Sequence, residues 1–142
     1  MSGPKATVLC VDDHWKDLIE RKALLEENGF AVLEVSNWEE SLKVFLHCTV
    51  HAVIVDYQLP GMNGDMVAAM MKRMKPHIPI ILLSAYGPLP EKKLRPVDAF
   101  VYKSDGKRRL LSTLRGLLGN RSRPFFARWL DHWKSRNQVV LK

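Results

Sequence analysis

The sequence predicts an α/β domain in which a parallel β-sheet carries helices on both faces. Three observations lead there. Five short apolar runs alternate with helical patterns, the mark of strand–helix–strand units. The runs are almost continuously apolar, as strands buried on both faces are. The polar residues best suited to chemistry stand where the runs end, which is where open α/β sheets bind ligands.

The first strand is the run TVLCV at 7–11, closed by two acids. A helix over 15–28 follows, with Leu18, Ile19, Leu24 and Leu25 on one stripe and Gly29 placed to stop it. Residues 31–35 form the second strand. Ser36 and Glu39 then have the spacing of a capping box, opening a helix through Leu42, Phe45 and Leu46. The third strand, 51–55, runs into Asp56 and a turn rich in Pro60, Gly61, Asn63 and Gly64. A helix over 65–75 carries Met66, Met70 and Met74 at i, i+4 spacing, which reads as core packing. The fourth and fifth strands are 79–83 and 99–102. Between them Pro88, Pro90 and Pro96 leave room for a helix of only one or two turns. The last helix, 107–118, turns Leu110, Leu111, Leu114, Leu117 and Leu118 inward.

A chain of 142 residues with 46% hydrophobic and 26% charged residues suits one folded domain with a substantial core. The two cysteines, Cys10 and Cys48, read as reduced thiols, Cys10 as a small core residue. The first residues are polar with no apolar segment behind them, and no stretch approaches a membrane span, so a cytoplasmic location is expected. The net charge of +7 is uneven: residues 103–142 hold 11 Lys/Arg against 2 Asp/Glu, and residues 1–102 hold 11 against 13. A basic C-terminal quarter fits an anionic partner or a solvated surface equally well.

At the ends of the runs stand Asp12 and Asp13, Asp56, Ser84 and Lys103. Three carboxylates converging on one crevice repel one another unless a cation neutralises them. Hard oxygen donors with open positions suit Mg²⁺. Asp56, ahead of a glycine-rich turn, is placed to act as a nucleophile. A phosphoryl group arriving there needs the charge on its oxygens neutralised, which Mg²⁺, the Lys103 ammonium and a Ser84 hydrogen bond would do. Taken singly, each residue is a cap, a turn former or a surface charge. Together, at these strand ends, they form a set for phosphoryl transfer to a carboxylate. His14, His47, His51 and His77 show no metal-ligand spacing with cysteine and receive no role.

The motifs also carry a family resemblance. VLCVDD at 8–13 resembles the opening strand of bacterial response-regulator receiver domains. DYQLPGMNG at 56–64 is similar to their phosphoacceptor pattern D-x-x-M/L-P-x-M-x-G, and LLSA at 82–85 to their switch strand. Phe100 stands three residues before Lys103, at the family's switch aromatic. The likeness covers roughly residues 5–119. It implies a flavodoxin-like doubly wound sheet of order 2-1-3-4-5 and a phosphoacceptor at Asp56. It implies Mg²⁺ held by Asp13, the Asp56 carboxylate and the main-chain carbonyl of Gln58, with Asp12 acting largely through water. Phosphorylation would come from a sensor histidine kinase or a histidine phosphotransfer protein. Ser84 and Phe100 would then move as a switch that regulates a downstream protein, with no enzyme activity beyond autodephosphorylation.

The sequence departs from that pattern at Ser104, where receivers usually carry proline after the lysine. A cis peptide there costs about 2.5–4 kcal/mol before a residue other than proline, so a trans loop and a strained cis loop are both open. The receiver domain is assigned to 1–119 and a basic, aromatic, helical extension to 120–142. In the extension Phe125, Phe126, Trp129, Leu130 and Trp133 form an apolar helical stripe. The stripe fits packing on its own domain, a protein or homodimer contact, or an anionic membrane or nucleic-acid surface.

Two other functional classes compete with the switch. A hydrolase with an aspartyl-phosphate intermediate of the haloacid-dehalogenase type is disfavoured, because VDDHW at 11–15 lacks that group's D-x-D pattern. The alternative is a basic binding module acting through the extension, with phosphorylation vestigial.

Overall fold

The computed structural model describes residues 5–119. The apolar runs form strands β1 (Thr7–Val11), β2 (Ala31–Val35), β3 (Ala52–Asp56), β4 (Ile80–Ser84) and β5 (Ala99–Tyr102). All pair in parallel, in the order β2-β1-β3-β4-β5. Between them run α1 (Trp15–Glu27), α2 (Trp38–His47), α3 (Gly64–Met74) and the single-turn α4 (Glu91–Leu94). A 3-10 turn (Lys103–Asp105) then leads into α5 (Gly106–Leu118). The proline-rich segment thus leaves α4 one turn, as its spacing predicts. No helix among the described residues is long and apolar enough to cross a membrane. The aromatic extension lies outside the described residues, and so does the expected sixth helix.

Alternation along each strand divides the core into two layers. Val8, Cys10, Ala52, Ile54, Ile81, Leu83 and Val101 face one side, where they pack with Leu18 and Leu25 of α1 and Leu110 and Leu114 of α5. Leu9, Val11, Val53, Val55, Ile80 and Leu82 face the other, against Phe45 of α2 and Val67, Ala68 and Met71 of α3. Phe45 is fully buried, so its truncation to alanine would cost about 3–5 kcal/mol. Gly29, at φ 90°, ends α1 as its position predicts: its N–H donates to Glu26 O and that of Phe30 to Leu25 O.

Three local expectations are corrected. The cap of α2 is Asn37, whose side chain accepts from Glu40 N–H at 2.8 Å, and not the Ser36–Glu39 box. Ser36 directly follows the last residue of β2, so the turn into the helix falls one residue later. In α3 the inward face is Val67, Ala68 and Met71, while Met66 and Met74 are exposed. Val67, Ala68 and Met71 share the face packed on the sheet, and the Met66–Met70–Met74 stripe is turned away from it. Ile19 and Leu46, read as core, are also exposed. Leu25 and Phe45 fill the corresponding layers.

Candidate functional site

Register sets the site. Val11 pairs with both Val35 and Val55, so Asp12 and Asp56 follow directly from neighbouring rungs of the sheet. Asp56 pairs with Leu83 and Ser84 with Tyr102, which aligns the remaining strand ends. Asp12 and Asp56 are almost wholly buried, at 0% and 2% exposure, and Asp13 is exposed beside them. One ligand atom from each of Asp12, Asp13, His14 and Asp56 lies within 4.8 Å of the others. His14 Nδ1 is 3.4 Å from both Asp12 Oδ1 and Asp13 Oδ1. That side chain received no role from the sequence. Its signal was adjacency to the acid pair, not spacing to a cysteine.

Lys103 reaches into this group from the 3-10 turn. Its Nζ lies 3.0 Å from Asp12 Oδ2, 3.1 Å from Asp17 Oδ2 and 3.4 Å from Asp56 Oδ2. The peptide to Ser104 is trans, since the cis bond among the described residues is Gly87–Pro88. The trans geometry therefore delivers the lysine to the carboxylates without proline. Arg21, from the buried face of α1, places Nη2 3.3 Å from the same Asp12 oxygen. A cleft of about 270 Å³ opens beside Lys103, between α1 and the start of α5, lined in part by Asp17, Arg21, Tyr102 and Lys107.

The remaining residues frame the turn after Asp56. Gly64 N–H donates to Tyr57 O at 2.7 Å, and a Cβ on Gly64 would run into the Asp56 carbonyl. Only glycine lets α3 start this close to the strand end. Gln58 is exposed in this turn, and its backbone N–H favours the charged form of the Asp56 carboxylate. The Tyr57 hydroxyl accepts from Lys93 of α4. Ser84 is buried, and its hydroxyl donates to Tyr86 O and accepts from Tyr86 N–H, so it is engaged in the β4–α4 loop. Phe100 is half-buried on the α2–α3 side and meets Tyr102 edge to face, with centroids 4.9 Å apart.

Electrostatics separate the two buried acids. Burial pushes the Asp56 carboxyl up, the Asp12 charge adds to this, and Lys103 opposes it, leaving the pKa at about 6. Burial also acts to raise Asp12. There the His14 N–H, Lys103 and Arg21 outweigh it and hold the carboxyl below the usual range. The Lys103 ammonium is raised: burial opposes its charge, but bonds to Asp12 and Asp17 prevail. The arrangement is an anionic pocket with one lysine at its mouth and one arginine behind it. Its hard carboxylate oxygens fit a small divalent cation such as Mg²⁺.

Comparison with known proteins gives the same pattern. The profile of the response regulator receiver domain matches residues 8–114. The autoinducer 1 sensor kinase/phosphatase LuxN of Vibrio campbellii is 32% identical over 120 residues, covering 84% of this chain and 14% of LuxN. The transcriptional regulatory protein GlrR of Escherichia coli is 27% identical along the whole chain, which spans 33% of GlrR. The chain thus spans a third or less of these curated relatives. Among solved structures, the response regulator TrrA of Thermotoga maritima in complex with Mg²⁺-BeF aligns with a TM-score of 0.75 at 30% identity. It covers 78% of this chain and 97% of TrrA. A CheY-like receiver domain of Methanospirillum hungatei aligns with a TM-score of 0.79 at 24% identity, over 84% of this chain and 98% of that one, and supports the fold.

Proposed function

Since the chain belongs to the response regulator receiver family of two-component signalling, we propose that Asp56 is its phosphoacceptor and that phosphorylation there switches its surface. The observation that carries the reading is the shared pocket: Asp56 buried at a strand end, beside Asp12 and Asp13, with Lys103 Nζ 3.4 Å away.

Receiver domains take up Mg²⁺ at such an acidic pocket. In this chain Asp13, the Asp56 carboxylate and the Gln58 carbonyl would hold it, with Asp12 acting through water. The bound ion supplies neutralisation of the phosphoryl oxygens. The chain's own residues do the rest. A carboxylate oxygen of Asp56 attacks phosphorus. An O–P bond forms, and the P–N bond to the donor histidine breaks, its electron pair staying on nitrogen, which is protonated from solvent. Lys103 follows the charge onto the phosphoryl oxygens. Ser84 leaves Tyr86 to donate to one of them, and Phe100 moves toward the space it vacates.

The donor in this reading is a sensor histidine kinase or a histidine phosphotransfer protein, and the recipient of the signal is a downstream protein or a second copy of the chain. The work is done in the cytoplasm, by a phosphoacceptor rather than an enzyme. Residues 1–119 make up the receiver, and 120–142 an extension whose basic character suits an anionic partner.

The test is intact mass after incubation with acetyl phosphate, with and without Mg²⁺, on the wild type and Asp56→Asn. One phosphoryl group that needs both Mg²⁺ and Asp56 is expected. A phosphoryl group that persists in folded Asp56→Asn would move the acceptor elsewhere. Absence of transfer to folded wild type, under rapid quench as well, would overturn the reading.

A further inference from the structure

Arg21 occupies a helix face that would otherwise take an apolar residue. It lies three residues after Leu18 and four before Leu25, both buried, and is itself 8% exposed. Its Nη2 reaches Asp12 Oδ2 at 3.3 Å, while Nη1 is buried with no hydrogen-bond partner among the described residues. A buried guanidinium with one donor unsatisfied is costly, and a buried ion pair is seldom more stable than well-packed apolar side chains. Stability does not account for an arginine here.

Its effect on Asp12 does. Both oxygens of that carboxylate are engaged by the protein: Oδ1 accepts from His14 N–H at 3.0 Å, and Oδ2 is shared by Arg21 and Lys103. Lys103 has other carboxylates within reach, Asp17 and Asp56, and can leave Asp12 without losing all its partners. Arg21 is almost wholly buried, on the wall of the cleft beside Lys103, and sets its positive charge behind the pocket.

We propose that Arg21 is a positioning residue that acts through Asp12, holding that carboxylate from the inner side while its charge opposes entry of a divalent cation among Asp12, Asp13 and Asp56. The inference rests on the reading of this pocket as a Mg²⁺ site. The pocket then fills only at a higher free Mg²⁺ concentration than its carboxylates alone would set. At about 6 Å, and with the screening of a site open to water, a unit like charge weakens binding of a divalent cation by about tenfold.

The test titrates the full chain with Mg²⁺, and with Mn²⁺ as a second probe, by calorimetry and intrinsic tryptophan fluorescence. Wild type, Arg21→Met, Arg21→Gln and Arg21→Lys are compared, each checked for folding by circular dichroism. The Met and Gln variants are expected to bind Mg²⁺ about tenfold tighter, and the Lys variant to stay within about twofold of wild type. If Met does not fold, the Gln and Lys variants decide. Equal affinities across the folded proteins overturn the proposal and leave the pocket reading standing. No binding to any folded protein overturns both. A merely structural arginine would shift unfolding midpoints without separating Gln from Lys in Mg²⁺ affinity.

Discussion

Lys103 Nζ sits closer to Asp17 Oδ2, at 3.1 Å, than to Asp56 Oδ2, at 3.4 Å. The ammonium assigned to the phosphoryl oxygens is therefore shared with a carboxylate on α1 outside the Asp12–Asp13–Asp56 group. Moving it fully onto the phosphoryl group breaks the Asp17 contact, a partly exposed pair worth about 0.5 kcal/mol. Asp17→Asn should raise the initial rate of acetyl phosphate labelling about twofold, because it removes a contact made only before the transfer. A time course of intact mass reads this, and a rate below wild type would assign Asp17 to holding Lys103 in place.

Asp56 makes stability depend on pH. Its pKa of about 6 in the folded protein stands above the ordinary carboxyl value of 3.8, so the folded state binds more protons between those values. The stabilising contribution is full below about pH 4 and is lost as pH rises through 6. Asp12, held low, contributes in the opposite direction, and it is present in the variant too. Asp56→Asn is therefore expected to be more stable than wild type at pH 7.5 in EDTA, by on the order of 3 kcal/mol, with the gain gone by about pH 4. Urea unfolding across that range measures it. A gain independent of pH would place the effect in packing instead.

Gly64→Ala is expected to destabilise the fold by about 2–4 kcal/mol, because the added methyl meets the Asp56 carbonyl and the Tyr57 Cα and neither can yield without moving the strand end. Thermal unfolding checks the loss. Gly116→Ala, where a Cβ meets nothing within 4 Å, is the control and should hold or gain stability.

The two thiols should separate chemically. Cys48 is exposed, whereas Cys10 is fully buried between strands, and burial pushes its thiol up to about 12. At pH 8 iodoacetamide is expected to label Cys48 alone, with Cys10 reacting only in denaturant. Mass spectrometry of the digested protein decides, and labelling of Cys10 in the native state would reveal opening of the β1 layer.

How far the sequence could be read depended on which interaction governed each position. The strands were legible because burial on both faces imposes near-continuous apolar runs, and the site because parallel strands end on one edge of the sheet. Asp12, Asp13, Asp56 and Lys103 converge for that reason. Arg21 and Asp17 were missed because their role depends on which turn of α1 faces Lys103. Arg21 did leave a trace: a charge at the i+3 position after Leu18, on the stripe that also buries Leu25. The methionines of α3 misled because i, i+4 spacing names a stripe without saying which stripe lies against the sheet. The Asn37 cap turned on a single residue of strand end, which periodicity does not resolve.

Asp12, Asp13, Asp56, Ser84 and Lys103 each end a strand or lie within two residues of its end, in a ladder that pairs Val11 with Val55 and Asp56 with Leu83. Rungs, not loops, therefore measure the distances between them. The connections at the opposite edge, at residues 28–30, 48–51, 75–79 and 95–98, hold core and strand-anchoring residues such as Val50 and Asp98, but insertions at their exposed positions are expected to leave those spacings unaltered. A circular permutant opened between α2 and β3 should keep its phosphoacceptor geometry. The same indexing lets the short segment between Ser84 and Lys103 reshape the outer surface while the chemistry beneath it stays in register.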